Sequence, residues 1–174
     1  YRYFSTKAEL AIQSATLFWK MEADRYLDMF HDKTYHSLTG IQQVEEILHR
    51  FGKLYDNSPR FLKFLQEFDS FVKRNAILPE SLIEYENTIL NLKPYFTSAL
   101  EKGVRDQTIV IDFSVEETYF TITHTMLSLM QKLALSGDIL DSDARVAAQA
   151  QIKIIIQLIV KGLKRSDVDE RANK

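Results

Sequence analysis

The chain predicts an all-α fold, and three observations carry that expectation. Only five glycines and three prolines interrupt 174 residues, too few breakers for many short strands. Apolar residues recur at steps of three and four along most of the chain. Helix-start signatures punctuate it at Thr6–Glu9, Thr39–Gln42, Ser58–Pro59 and Ser114–Glu117, where a hydroxyl can cover an orphan N–H or a proline can open the first turn. The length suffices for one domain with its own core, and 45% hydrophobic with 26% charged residues is an ordinary globular balance.

Six helices follow in order. The first runs from about Lys7 to about Phe30, with a broken apolar face of Leu10, Leu17, Phe18, Met21 and Met29. Asp32 to Ser37 is polar and reads as a connection. The second helix follows Thr39 and carries Ile41, Val44, Leu48, Phe51 and Tyr55 on one stripe. The third opens with Ser58 as N-cap and Pro59 in the first position, and its Phe61, Leu62, Leu65, Phe68 and Val72 share a wide face. The fourth runs from near Pro79 to about Lys102 and should kink at Pro94, where a donor is lost. An irregular loop spans Gly103 to Asp112. The fifth helix starts at Ser114 and ends near Gly137; the sixth covers about Ser142 to Lys164.

These last two helices are apolar around most of their girth, which asks for burial on two sides. On the fifth, Val115, Tyr119, Ile122, Met126 and Met130 form one row, and Phe120, Leu127 and Leu135 another. On the sixth, Val146, Ala147, Ala150, Ile154 and Leu158 form one row, and Ile152, Ile155, Ile156, Ile159 and Leu163 the other. A second copy of the chain would supply the second burial; the centre of a monomer would too. The charged tail 165–174 is expected to fray.

Composition closes several functional classes. The chain has no cysteine, hence no disulfide, thiol nucleophile or Cys-bound zinc, which is compatible with a reducing, cytoplasmic setting. A net charge of -2 gives the body no bulk attraction for nucleic acid. No apolar run has membrane-spanning length, and no secretory signal pattern occurs, so no membrane partner is expected. No phosphate loop, nucleophile elbow or zincin motif is present, and the carboxylates are scattered, so neither an enzyme nor a cofactor is expected. His31, Asp32 and His36 straddle a loop without a second ligand pair, a poor metal site.

The opening run Tyr1-Arg2-Tyr3-Phe4-Ser5-Thr6-Lys7-Ala8-Glu9-Leu10 is the most specific feature. It resembles the end of the helix-turn-helix in TetR-family (tetracycline-repressor-like) transcriptional regulators, through Tyr1, Tyr3, Phe4, Lys7 and Leu10 with Thr6 as a variant. The loop Gly103-Val104-Arg105-Asp106-Gln107 resembles a connection of that family, with Gln107 where a second glycine is usual. Val160-Lys161-Gly162-Leu163-Lys164 looks like its closing Gly-Leu. The resemblance implies that residues 1–10 end a DNA-binding head and begin a connecting helix. Residues 11–164 would then be a six-helix ligand-binding and dimerisation domain whose last two helices form a dimeric four-helix bundle, and 165–174 a polar tail.

Site assignments follow from that resemblance together with residue chemistry. Tyr1, Arg2, Tyr3 and Lys7 are the DNA candidates; Lys7 adds its charge to the positive end of a helix, which suits a phosphate. Tyr55, Phe64, Phe68, Phe71, Tyr85, Phe96, Tyr119 and His124 are the candidates for walls of a cavity holding a small apolar ligand, although each taken singly could be plain core. Phe120, Leu127, Ile152, Ile155, Ile156 and Ile159 are the candidates for the homodimer interface. The expected function is a ligand-responsive regulator, a repressor by preference, that acts allosterically and without catalysis. The competing reading is a helical carrier of lipids or acyl chains with no DNA function. On the regulator reading the 174 residues by themselves bind DNA weakly, because most of the head is missing; a gel-shift assay showing tight, sequence-specific binding contradicts it.

Overall fold

The computed structural model describes residues 6–136 and 139–164. Among them the chain is all-α, without a strand, and an isolated antiparallel bridge joins Ile109 to Lys164. The helices are α1 (Lys7–Phe30), α2 (Lys33–Ser37), α3 (Gly40–Asn57), α4 (Pro59–Arg74), α5 (Ile83–Leu90), α6 (Lys93–Arg105), α7 (Val115–Ser136) and α8 (Ala148–Leu163). No helix among these residues is long and apolar enough to cross a membrane.

Several starts follow the capping chemistry. Thr6 Oγ1 accepts from the Glu9 N–H at 3.0 Å, the Thr39 N–H donates to Gln42 Oε1 at 2.9 Å, and Ser114 and Glu117 cap each other reciprocally at 3.0 and 3.1 Å. Three expectations need correction. The polar connection at 32–37 contains α2, opened by Asp32, whose Oδ1 accepts from the Thr34 N–H at 2.8 Å. The single kinked fourth helix is instead a 3-10 turn (Pro79–Leu82) followed by α5 and α6; Pro94 lies in the first turn of α6, where its missing N–H breaks no helical bond. The last helix starts at Ala148, not Ser142, because Val146 is extended (φ -130°, ψ 124°) after a 3-10 turn over Asp143–Arg145. Gly137, expected to close the fifth helix, and the tail 165–174 lie outside the described residues.

Helix α3 occupies the centre and packs on α4, α6, α7 and α8. Its Val44, Leu48 and Leu54 are buried with Leu62 and Leu65 of α4, Leu100 of α6, Met126 and Met130 of α7, and Ile156 of α8. Two glycines set how closely its neighbours approach. At one end a Cβ on Gly40 would collide with the backbone N and Cα of Gly103 on α6. Further along, a Cβ on Gly52 would stand 3.0 Å from Ile152 Cγ2 and 3.4 Å from Ile156 Cδ1 on α8. The α3–α6 contact is tied by Asp106, whose Oδ2 accepts from the Gly40 N–H at 2.8 Å while Oδ1 accepts from the Thr108 hydroxyl at 2.6 Å; the Thr108 hydroxyl oxygen in turn accepts from the Ile41 N–H at 3.1 Å.

Two smaller clusters hang on this core. Ile12 and Ala15 of α1 pack with Phe68 of α4, flanked by half-buried Phe64, Val72, Ile77 and Tyr85. Met29 and Phe30 at the end of α1 pack with Tyr35 of α2, and Phe30 stacks on Tyr95 with ring centroids 4.1 Å apart. Lys102 of α6 closes the C-terminal end of α2 by donating to the carbonyls of His36 and Leu38 at 2.9 and 2.6 Å.

Two non-glycine residues take left-handed backbone: Ala76 (φ 45°) and Gln107 (φ 60°). Ala76 completes a Schellman ending of α4, with the Ile77 N–H donating to the Val72 carbonyl at 3.2 Å. Gln107, in the loop after α6, holds a conformation that glycine would favour. That geometry costs an L-residue about 1–2 kcal/mol. Gln107→Gly and Ala76→Gly should therefore each raise stability, by about 0.5–1 kcal/mol once the extra chain entropy of glycine is subtracted, measured by urea denaturation. Gly40→Ala should lower it by about 3 kcal/mol or prevent folding, since backbone must move. Desolvation opposes ionisation of Asp106, but the hydrogen bonds from Thr108 and Gly40 outweigh it and hold its carboxyl below the ordinary value. A depressed folded pKa gives stability that is present above the unfolded value of about 3.9 and is lost as pH falls through the folded one. Asp106→Asn should flatten the acid limb of a stability–pH curve below about pH 4.

Candidate functional site

The two apolar rows of α8 face opposite ways, and they correct the expected interface. Ile152 and Ile156 are buried within their own chain against Gly52, so they are core and not interface. Ile155 and Ile159 are half-buried beside them. The open row is the other one: Ile154 is 49% and Leu158 59% exposed, and a Cβ on Gly162 would meet nothing within 4 Å. On α7 the inner row is Tyr119, Ile122, Met126, Met130 and Leu133. Phe120 and Leu127 are half-buried, with Phe120 held between Tyr119 (centroids 5.0 Å), His124 (5.7 Å) and the Lys93 ammonium (4.9 Å). Lys93 also pairs with Glu116.

The eight expected ligand-wall residues do not converge. Phe96 and Tyr119 meet edge to face in the main core, 5.6 Å apart, as packed interior. His124 is exposed on α7. Phe71 is half-buried at the end of α4, with Lys7 Nζ 6.0 Å from its ring centroid. Phe64, Phe68 and Tyr85 do gather, in the α1–α4–α5 cluster: Phe64 and Phe68 stack at 6.0 Å, and Phe68 meets Tyr85 at 5.0 Å. Tyr85 Oη accepts from the Trp19 Nε1–H at 3.4 Å, and burial pushes the phenol up to about 12, so it stays protonated. Tyr55 alone of the eight lines either of two surface clefts.

The larger cleft, about 450 Å3, lies between the α3–α4 turn, the end of α7 and the start of α8; Tyr55, Lys63, Leu133, Ala134, Asp143 and Val146 are among its walls. The smaller, about 310 Å3, lies between the first turns of α1 and the α4–α5 connection, against Ile12, Gln13, Ile77 and Ser81. Lys7 is exposed at the start of α1; Tyr1, Arg2 and Tyr3, the other DNA candidates, lie outside the described residues. Asp32, weighed above as a metal ligand, spends its carboxylate capping α2.

Sequence reasoning missed Glu22. It stands on α1 with its side chain 6% exposed, the one buried carboxylate among the described residues. Its Oε1 accepts from the Ser58 hydroxyl at 2.6 Å and from Arg25 Nη1 at 2.8 Å, while the buried Oε2 has no hydrogen-bond partner. Ser58 was expected to cap α4 with its side chain; its hydroxyl is turned to Glu22 instead, and α4 relies on Pro59 at its start. The middle of α1 is thereby pinned to the α3–α4 turn, while Lys20 pairs with Glu84 of α5 at 2.9 Å. The only sequence signal was an acid flanked by Ala23, Met21 and Trp19.

Compared with known proteins, the chain gives no significant match to any family model, any curated protein or any solved structure. What the fold defines is therefore an all-α domain built round one central helix, with a long first helix seated on a side cluster and a last helix that leaves apolar residues in the open.

Glu22→Ala should destabilise by about 1 kcal/mol through loss of the bonds from Ser58 and Arg25, which stay joined to each other at 3.3 Å. Ser58→Ala on top of it should add little. A full additive loss in a double-mutant cycle would show that Ser58 acts as a helix cap and not through Glu22.

Proposed function

We propose that this chain is the regulatory domain of a TetR-like, ligand-responsive transcriptional regulator, a homodimer that acts by allostery. The observation that carries the reading is the division of the core. The first half of α1, which leads out of the Tyr-x-Tyr-Phe-x-Thr-Lys run, rests on the small Ile12–Ala15–Phe68 cluster, whereas α7 and α8 are fixed to α3 in the main core. Further along, Trp19 enters the main core and packs edge to face on Phe61, so on this reading the displacement that a switch requires belongs to the turns of α1 before Trp19.

On this reading the effector is small and apolar and enters the α1–α4–α5 cluster, where half-buried Phe64 and Tyr85 flank buried Phe68 and offer aromatic walls. It must prefer the displaced α1, because a ligand indifferent to the two positions shifts nothing. In a dimer the displacement changes the spacing of two DNA-reading heads and so their fit to paired half-sites. The dimer uses the open row of α8, Ile154 and Leu158, with Ile155 and Ile159 beside it and Phe120 and Leu127 on α7.

Two experiments test the proposal. Sedimentation equilibrium of the 174-residue chain should give a dimer, and Ile154→Glu with Leu158→Glu a folded monomer; a wild-type monomer at high concentration contradicts it. In the protein carrying a helix-turn-helix ahead of Tyr1, Phe68→Ala should weaken the loss of operator binding that an apolar effector causes, by about tenfold in effector concentration, roughly the 1.4 kcal/mol of one aromatic contact. Operator affinity that no apolar ligand moves contradicts it, and tight binding of fatty acyl chains without any DNA affinity favours a carrier.

A further inference from the structure

The outer face of α1 carries a pattern that no contact within the chain uses. From Lys7 it runs through Leu10, Ser14, Leu17 and Met21 to Asp24 and Asp28, at alternating steps of three and four. That spacing keeps the residues on one line of the helix and is the seam spacing of a coiled coil. The line is open: Leu17 is 59% and Met21 48% exposed, and Leu10 is exposed one turn further back. Phe18 lies beside it, also exposed, with its ring stacked on Phe61 at 5.4 Å. From Leu10 to Met21 the apolar stretch covers about 16 Å of helix.

The charges on this line are unmatched. Lys20 and Arg25, which flank it, already pair with Glu84 and Glu22 at 2.9 and 2.8 Å. Lys7, Asp24 and Asp28 join no ion pair among the described residues. Lys7 Nζ lies 6.0 Å from the Phe71 ring centroid, and residues 1–5 ahead of it bring one more cation, Arg2, and no acid. The line is therefore basic at its start, apolar in its middle and acidic at its end. Such a line complements itself when reversed. Set antiparallel about a two-fold axis between Ser14 and Leu17, it puts Leu10 opposite the partner's Met21 and Lys7 opposite the partner's Asp24, with Asp28 one turn beyond. Ser14, the small residue at the centre, leaves a hole for the partner's Leu17. Set parallel, the same line brings lysine onto lysine and aspartate onto aspartate, which selects against that arrangement.

We propose that a second copy of this chain docks antiparallel on the outer face of α1, through Leu10, Leu17 and Met21, with Lys7 and Asp24 pairing at both ends. The contact is additional to the α8 dimer and uses no residue of α7 or α8. It is small, one helix face a side against the roughly 20–30 residues a side of a standard interface, so its Kd is expected at roughly 0.1–1 mM. It covers the turns of α1 before Trp19; on the switch reading, association opposes their displacement.

Sedimentation of the 174-residue chain from about 10 µM to about 1 mM separates the two contacts. The mass should rise above that of the α8 dimer at the upper end. The Ile154→Glu, Leu158→Glu chain, monomeric at the lower end, should rise towards a dimer. Leu17→Glu with Met21→Glu, both at exposed positions, should remove the rise while leaving the low-concentration mass and the helical circular dichroism unchanged. Lys7→Glu and Asp24→Lys each set like charges against each other at both ends of the contact, and each should weaken it about tenfold. An equal mixture of these two variants restores opposite charges at both ends and should recover the association. The proposal is overturned if no rise occurs by about 1 mM, if the Leu17→Glu, Met21→Glu chain rises as the unaltered chain does, or if the mixture associates no better than either variant alone. None of these outcomes touches the α8 dimer, whose own test is the mass at about 10 µM.

Discussion

The contact on which the rest of the molecule depends is the crossing of α3 and α6 at Gly40 and Gly103. Neither helix could approach so closely with a side chain at that point, because a Cβ on Gly40 would occupy the backbone of Gly103. Close approach alone would leave the first N–H groups of α3 buried and unpaired. Asp106 and the Thr108 hydroxyl accept from Gly40 and Ile41 and remove that penalty. Once α3 is fixed there, its far half presents Gly52 to α8 and its apolar stripe to α4 and α7, and the main core follows.

That central placement separates two kinds of surface. Helices α7 and α8 are secured from within, so what α8 leaves outside, Ile154 and Leu158, is rigidly displayed. A fixed apolar face suits a permanent contact with a second copy. Helix α1 is held differently, by a small cluster at its start, by the Glu22–Ser58 hydrogen bond in its middle and by the Phe30–Tyr95 stack at its end. Its middle is fixed further by Trp19, which packs on Phe61 in the main core, so any pivot lies in the N-terminal half of α1.

Much of the fold was legible because its signals are local. Thr6, Thr39, Pro59 and Ser114 each mark a helix start through hydrogen bonds or ring geometry confined to one turn, and the structure begins helices there. Helix α2 was not legible, since five residues are too few for a 3.6-residue period to show. Pro94 was misread for a related reason: a proline inside an apolar pattern can kink one helix or start another, and only the break at Asn91–Leu92 decides between them. The site was harder still. Both rows of α8 are apolar, and which one turns inward depends on Gly52, far away in sequence. The aromatic residues share a composition suited to a cavity, but composition does not say that Phe96 and Tyr119 pack against each other while Phe64, Phe68 and Tyr85 gather elsewhere. Glu22 was invisible because its partner, Ser58, already had a plausible local role as a cap.

The central claim is that two copies of the chain meet through the outer row of α8. The chain contains no cysteine, so a single introduced thiol reports one position without background. Leu158→Cys, on the proposed interface, and Phe113→Cys, on an exposed loop that is 72% open, can be oxidised side by side at low protein concentration. The account predicts rapid disulfide-linked dimers from the first and almost none from the second; equal yields from both, or no dimer from Leu158→Cys, would contradict it.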